Sequence, residues 1–235
     1  MGRLFAIADL HLSSSGAKPM DIFGANWTDH AGRMAAAWDA AVGPDDVVLL
    51  PGDLSWARDL DEARGDLSWI GARPGEKYLL RGNHDGWWSS LKKVRGALPP
   101  RCHALQNDAF DLGDVVLVGA RGWTAPDDPV AVAGDEAIFQ RELERLQLSI
   151  ADADARFGRV KPRLAMLHYP PWIEGRAPTE VVAALRAGAV RTCVYGHLHG
   201  TDHALAVQGV RDGIRYHLVA ADAIGFAPSL LHCAS

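Results

Sequence analysis

Six short apolar runs punctuate this chain: RLFAIA (3–8), DVVLL (46–50), EKYLL (76–80), DVVLVGA (114–120), RLAML (163–167) and RTCVY (191–195). Runs of five to seven residues, rich in Val, Ile and Leu, read as buried strands. Between them lie stretches with helical spacing, over 27–42, 60–72, 134–157 and 177–188. Strands alternating with helices predict an α/β fold. HALAVQ (203–208) and GIRYHLVAAD (213–222) follow one another with no helix between them, which predicts a closing hairpin and a mixed or antiparallel sheet in the second half. With 235 residues, 48% hydrophobic and 23% charged, the chain can bury a core as one domain over 1–235.

Five of these runs end in polar residues. RLFAIA leads to DLH (9–11), DVVLL to GD (52–53), EKYLL to GNHD (82–85), RLAML to His168 and RTCVY to GHLH (196–199). In open α/β sheets, ligands bind beyond the carboxyl ends of strands. Asp9, His11, Asp53, Asn83, His168, His197 and His199 are therefore candidate metal donors. All are oxygen or nitrogen ligands of the kind that hold Mn, Fe or Zn. Seven donors are more than one ion needs and suit two ions that share a carboxylate. Two residues apart on an extended chain, Asp9 with His11 and His197 with His199 would each face one way. Gly52, Gly82 and Gly196 precede donors and admit unusual turns or close backbone approach.

The same order of motifs, D-x-H, GD, GNHD, H and GHxH, resembles the calcineurin-like metallophosphoesterases. The motifs span Asp9 to His199. The resemblance implies a four-layer αββα sandwich with mixed sheets. It also implies a two-metal centre with a bridging hydroxide that hydrolyses phosphomonoesters or phosphodiesters of a small molecule or nucleotide. It assigns Asp9, His11 and His199 to one metal, Asn83, His168 and His197 to the other, and Asp53 to both. His84 becomes the catalytic histidine and Asp85 its orienting partner. KPMDIFG (18–24), GNHDGWW, RGW (121–123) and HYPP further resemble a small group of bacterial phosphohydrolases, which fixes no substrate. Pyrophosphate cleavage of a nucleotide-linked metabolite, nuclease activity and a non-catalytic binding module are the rival readings on this fold.

Arg81 and Arg121 are candidate phosphate contacts, or else members of structural ion pairs. Trp27, Trp56, Trp87, Trp88, Trp123 and Trp172 sit near donor motifs or strand ends. They either pack the loops or, Trp87 and Trp88 among them, line a groove for an aromatic leaving group. The net charge of −5 and the lack of a basic run argue against nucleic acid as partner. Cys102, Cys193 and Cys233 are scattered, which fits free thiols in a reducing, cytoplasmic setting. LLHCAS is not a prenylation box. No run is long enough to span a membrane.

Overall fold

All six apolar runs become strands in the computed structural model, which describes residues 2–16 and 18–232. They are β1 (Leu4–Ala6), β2 (Val47–Leu50), β3 (Glu76–Leu79), β6 (Val116–Ala120), β7 (Arg163–Leu167) and β8 (Val190–Tyr195). Three short strands join them, β4 (Cys102–Ala104), β5 (Phe110–Asp111) and β9 (Gly209–Arg211), together with β10 (Ile214–Leu218) and β11 (Ser229–Leu230). The helices are α1 (His30–Ala41), α2 (Arg64–Ala72), α3 (Leu91–Ala97), α4 (Asp135–Phe157) and α5 (Glu180–Ala187).

The strands form two mixed sheets, in the orders β11-β1-β2-β3-β4 and β5-β6-β7-β8-β10-β9. β1 to β4 run parallel, with β11 antiparallel on β1. β6, β7, β8 and β10 run parallel, with β5 and β9 antiparallel at the edges. Strand periodicity sorts the core into three bands. Val47, Leu49, Leu164, Met166 and Val194 fill the space between the sheets. Val48 and Leu50 face Met34 and Trp38 of α1, Ile70 of α2 and Val94 of α3. Ala165, Leu167 and Tyr195 face Phe139, Leu146 and Ile150 of α4 and Leu185 of α5. The order of layers is thus helix, sheet, sheet, helix.

The closing hairpin is shifted from its expected place. His203–Leu205 belong to a 3-10 helix over Gly200–Leu205, and the first hairpin strand is β9. β10 pairs antiparallel with β9 but parallel with β8. Cys102 and Cys193 are free and buried, and Cys233 lies outside the described residues. Among the described residues, no helix is long and apolar enough to cross a membrane.

Candidate metal centre

The carboxyl ends of β1, β2, β3, β7, β8 and β10 meet at one edge of the sandwich and carry the polar motifs there. Beyond β1, the Ala8 amide donates to the Val219 carbonyl at 2.8 Å, and the Ala221 amide donates to the Ala8 carbonyl at 3.0 Å. The tails of β1 and β10 therefore stitch the two sheets together at this edge. The Asp9 amide donates to the Gly52 carbonyl and the His11 amide to the Asp53 carbonyl, so the DLH and GD segments lie side by side.

The structure brings all seven expected donors together. Asp9, His11 and His199 present donor atoms to one point, as do Asp9, Asp53 and His168. His11 Nε2 and His199 Nε2 are 3.4 Å apart. Asn83 Oδ1 is 2.6 Å from His168 Nε2 and 3.1 Å from His197 Nδ1. Asp53 Oδ2 lies 3.5 Å from His168 Nε2 and 3.9 Å from His11 Nε2, between the two groups.

The D-x-H pair converges by a different route from the extended one expected. Asp9, His11, Asp53 and His197 have φ of 60°, 44°, 51° and 73°, in the left-handed region. Asp and His tolerate this region better than most residues, and such strain gathers at functional sites. Two glycines make room for the carboxylates. A Cβ on Gly82 would collide with Asp53 Oδ1, and one on Gly196 with Asp9 Oδ2.

Proton bookkeeping shows that the donors fit a cation. The Pro51 carbonyl, 2.9 Å from His168 Nδ1, can only accept, so His168 carries its proton on Nδ1. Burial pushes the His168 pKa down to about 3, so the ring is neutral and Nε2 is a bare lone pair. That lone pair faces Asn83 Oδ1, another acceptor, and a cation held between the two satisfies both. Asp9 Oδ1 is likewise buried without a hydrogen-bond partner. Burial, with the charges of neighbouring histidines, also drives His11 and His197 well below the usual histidine range. Bare nitrogens and carboxylate oxygens are what Mn, Fe and Zn select.

Asp222 was missed in the sequence, although it ends the GIRYHLVAAD run by the same positional rule. Its Oδ1 accepts from His199 Nδ1 at 2.8 Å and its Oδ2 from the Gly200 amide at 3.0 Å. His199 Nε2 is thereby left to face the metal group. Burial opposes the charged ring, but the Asp222 hydrogen bond and the charges of Asp9 and Asp222 prevail and raise the His199 pKa to about 9. Removing such a partner typically weakens metal binding by about 10–100-fold. Asp222→Ala is expected to show that loss in a metal titration, with helix content intact by circular dichroism. Unchanged affinity would show that Asp222 does not tune His199.

The role expected for Asp85 is corrected. Its Oδ1 accepts from the Leu54 and Ser55 amides and from Trp87 Nε1, and its Oδ2 from the Gly82 amide. The carboxylate facing His84 is Asp53, with Oδ2 4.0 Å from His84 Nε2. Asp85 pins the loops that carry Asp53 and Asn83, although burial and the Asp53 charge push its pKa up to about 7. An Asn at 85 would turn an NH2 toward one of these donors. Asp85→Asn is expected to cost roughly 1–3 kcal/mol, a fall of roughly 2–12 °C in Tm for a chain of this size. A normal Tm with an altered leaving-group profile would restore the orienting role.

Three further expectations shift with side-chain direction. Trp87 and Trp88 are buried in the core between the first sheet and its helices, with Nε1 atoms bonded to Asp85 and Gln106, so they pack loops and line neither cavity that opens on the donors. Trp56 takes that place: its ring stacks on His11 at 4.9 Å and tilts against His84 at 4.4 Å. Arg121 is tied to Glu142 at 3.1 Å and lies over Trp123. Arg81 and Arg121 line a narrow crevice with Gln106 and Arg145, apart from the cavities that open on the donors.

Comparison with known proteins agrees with this geometry. A family model described as calcineurin-like phosphoesterase matches residues 2–201. The Gene 66 proteins of Mycobacterium phages L5 and D29 are 35% and 36% identical to this chain over 86 residues. These matches cover 37% and 36% of this chain and 41% of each phage protein, so they span about two fifths of the relatives' length. Among solved structures, the protein of unknown function AQ665 from Aquifex aeolicus superposes with a TM-score of 0.53 at 15% identity, covering 97% of this chain and 95% of that one. The phosphopantetheinyl hydrolase PptH from Mycobacterium tuberculosis gives a TM-score of 0.54 at 16% identity, covering 93% and 89%. At such identities the likeness is one of fold. The family match runs through every donor motif from Asp9 to His199, and with it the chain belongs to the calcineurin-like phosphoesterases.

Proposed function

We propose that this chain, acting as one domain over 1–235, is a two-metal phosphoesterase for the phosphate ester of a small molecule or nucleotide. One observation carries the reading. Asp53 Oδ2 sits 3.5 Å from His168 Nε2 and 3.9 Å from His11 Nε2, within reach of both donor groups. In this reading Asp9, His11 and His199 hold one ion, Asn83, His168 and His197 the other, and Asp53 both. Mn, Fe or Zn would suit these donors. When bound, two such ions lower the pKa of water and clamp phosphoryl oxygens for in-line displacement.

The chain's own residues set the rest. Asp9 and Asp53 are the only carboxylates among the seven donors, so the centre with two divalent ions stays locally positive. It attracts a phosphate despite the net charge of −5. His84 carries the proton for the departing oxygen. Its ring is 45% exposed, held between Trp56 and Asp53, and so is open to substrate. Burial lowers its pKa, which makes it the stronger acid, while Asp53 pulls the other way.

The test is a screen of protein reconstituted with Mn, Fe or Zn against phosphomonoesters, linear and cyclic diesters, and nucleotide pyrophosphates. Hydrolysis of at least one class, lost on chelation and restored by metal, is the expected result. Metal-loaded protein that cleaves none of them would defeat the proposal.

A further inference from the structure

The candidate centre opens on two cavities. The first, of about 350 Å³, is floored by His11, His84 and His199 and walled by Phe23, Trp27 and Trp56. The second, of about 360 Å³, reaches His197 from the other donor group and is walled by Trp123, Phe139, Tyr169, Trp172 and Ile173. The Tyr169 ring lies against the His197 ring at 4.0 Å, so aromatic wall and donor are one surface. Each cavity falls at the lower end of the roughly 300–1,000 Å³ range of small-molecule sites, the size for one organic group. A phosphomonoester has one organic substituent and would leave one cavity unused.

From these two cavities, one on each donor group, we infer that the substrate is a phosphodiester whose two organic substituents lie on opposite sides of the phosphorus. This rests on the phosphoesterase reading above and assigns its substrate class. Because His84 floors the first cavity, the group held there leaves. The oxygen of water bonds to phosphorus, the bond from phosphorus to the ester oxygen in the first cavity breaks, and that oxygen takes a proton from His84. Of the two protons of that water, one returns through solvent to His84 and the other leaves with the phosphate of the monoester. The products are an alcohol and a monoester that keeps the group in the second cavity.

The second cavity also selects its occupant. Its walls are aromatic and apolar, and Asp127, Asp128 and Asp202 line it with Arg176 as the single cation among the lining residues. The Arg176 guanidinium is partly spent on the Asp127 carbonyl, at 2.9 Å. An uncharged or cationic aromatic group suits this setting, and an anionic group is repelled. The first cavity is different: Lys18 Nζ lies 3.5 Å from the centre of the Trp56 ring at its wall.

Three substrates with one leaving group test the inference: p-nitrophenyl phosphate, p-nitrophenyl methyl phosphate and p-nitrophenyl phenyl phosphate. Both diesters should exceed the monoester in kcat/KM. The phenyl diester should exceed the methyl diester by at least ~10-fold, the lower end of what burial of one aromatic ring supplies. Ala125→Trp, which fills the second cavity from its lining, should bring the phenyl-to-methyl ratio toward one. Asp127→Lys, at an exposed rim position, tests charge without touching the core. It should raise kcat/KM for a p-carboxyphenyl second substituent relative to phenyl. Calorimetry gives a readout free of turnover: diphenyl phosphate should bind metal-loaded protein at least ~10-fold more tightly than dimethyl phosphate, and Ala125→Trp should erase the difference. A monoester cleaved faster than both diesters, or a phenyl-to-methyl ratio near one in the unaltered protein, would overturn the inference while leaving the phosphoesterase intact. Tight diphenyl phosphate binding with no ester cleaved would defeat the phosphoesterase reading and keep the two-cavity site.

Discussion

Asp53→Asn is expected to remove turnover by at least ~10³-fold, beyond the roughly 10–100-fold typical of partners one layer behind a ligand, and to leave less than one equivalent of metal per chain. The reason is positional. Asp53 Oδ2 is within 4.0 Å of His11, His84 and His168, three imidazoles that approach it from three different strand ends. Replacing this carboxylate with an amide removes a negative charge both ions would share, and each donor group is left with mostly neutral ligands. The fold should survive. The Asp53 backbone bonds, including acceptance from the His11 amide, do not depend on the side chain, although the His84 amide loses part of its bond to Asp53 Oδ1. Two equivalents of metal and normal turnover in this variant would show that another residue bridges.

His84→Ala is expected to keep both metals and to lose turnover selectively. His84 Nε2 is 4.0 Å from Asp53, but the ring is tilted against Trp56 and belongs to neither converging donor group. If its work is to protonate the leaving oxygen, kcat should fall by roughly 10²–10⁴-fold for poor leaving groups and far less for nitrophenolate, which needs no proton. Equal losses for all leaving groups would mean that His84 stabilises phosphoryl oxygens without donating. Loss of a metal would make it a ligand. Asp85→Asn should not copy this profile, because the Asp85 carboxylate is bonded to the Leu54, Ser55 and Gly82 amides and the Trp87 indole.

Which parts of this account could be read from the sequence follows from the reach of each interaction. Runs such as DVVLL and RLAML declare themselves as strands because burial on both faces demands unbroken apolar residues. Their ends then fix where polar side chains emerge, which is why the sequence alone groups Asp9, Asp53, Asn83, His168 and His199. The short strands were not legible. Phe110–Asp111 and Ser229–Leu230 are held by pairing with β6 and β1 rather than by their own composition. HALAVQ has the alternation of a strand, yet its first half closes a 3-10 turn after the His199 donor.

Side-chain direction was also out of reach within the motifs. Period-two reasoning assumes an extended chain, whereas Asp9, His11, Asp53 and His197 are left-handed. In GNHDGWW the chain turns, so adjacency to Asn83 says nothing about where Asp85, Trp87 and Trp88 point. All three face inward, and the cavity wall comes instead from Trp27 and Trp56, carried on other segments. Asp222 follows the strand-end rule but is a lone carboxylate, with no second polar residue beside it to mark a motif.

The most direct test of a two-metal centre is a stepwise titration of metal-free protein, with bound metal and phosphoester turnover read on the same samples. Two equivalents should bind per chain, and turnover should rise steeply only as the second fills, since each donor group needs its own ion while sharing Asp53. Saturation at one equivalent with full turnover, or turnover that persists in metal-free protein, would contradict the account.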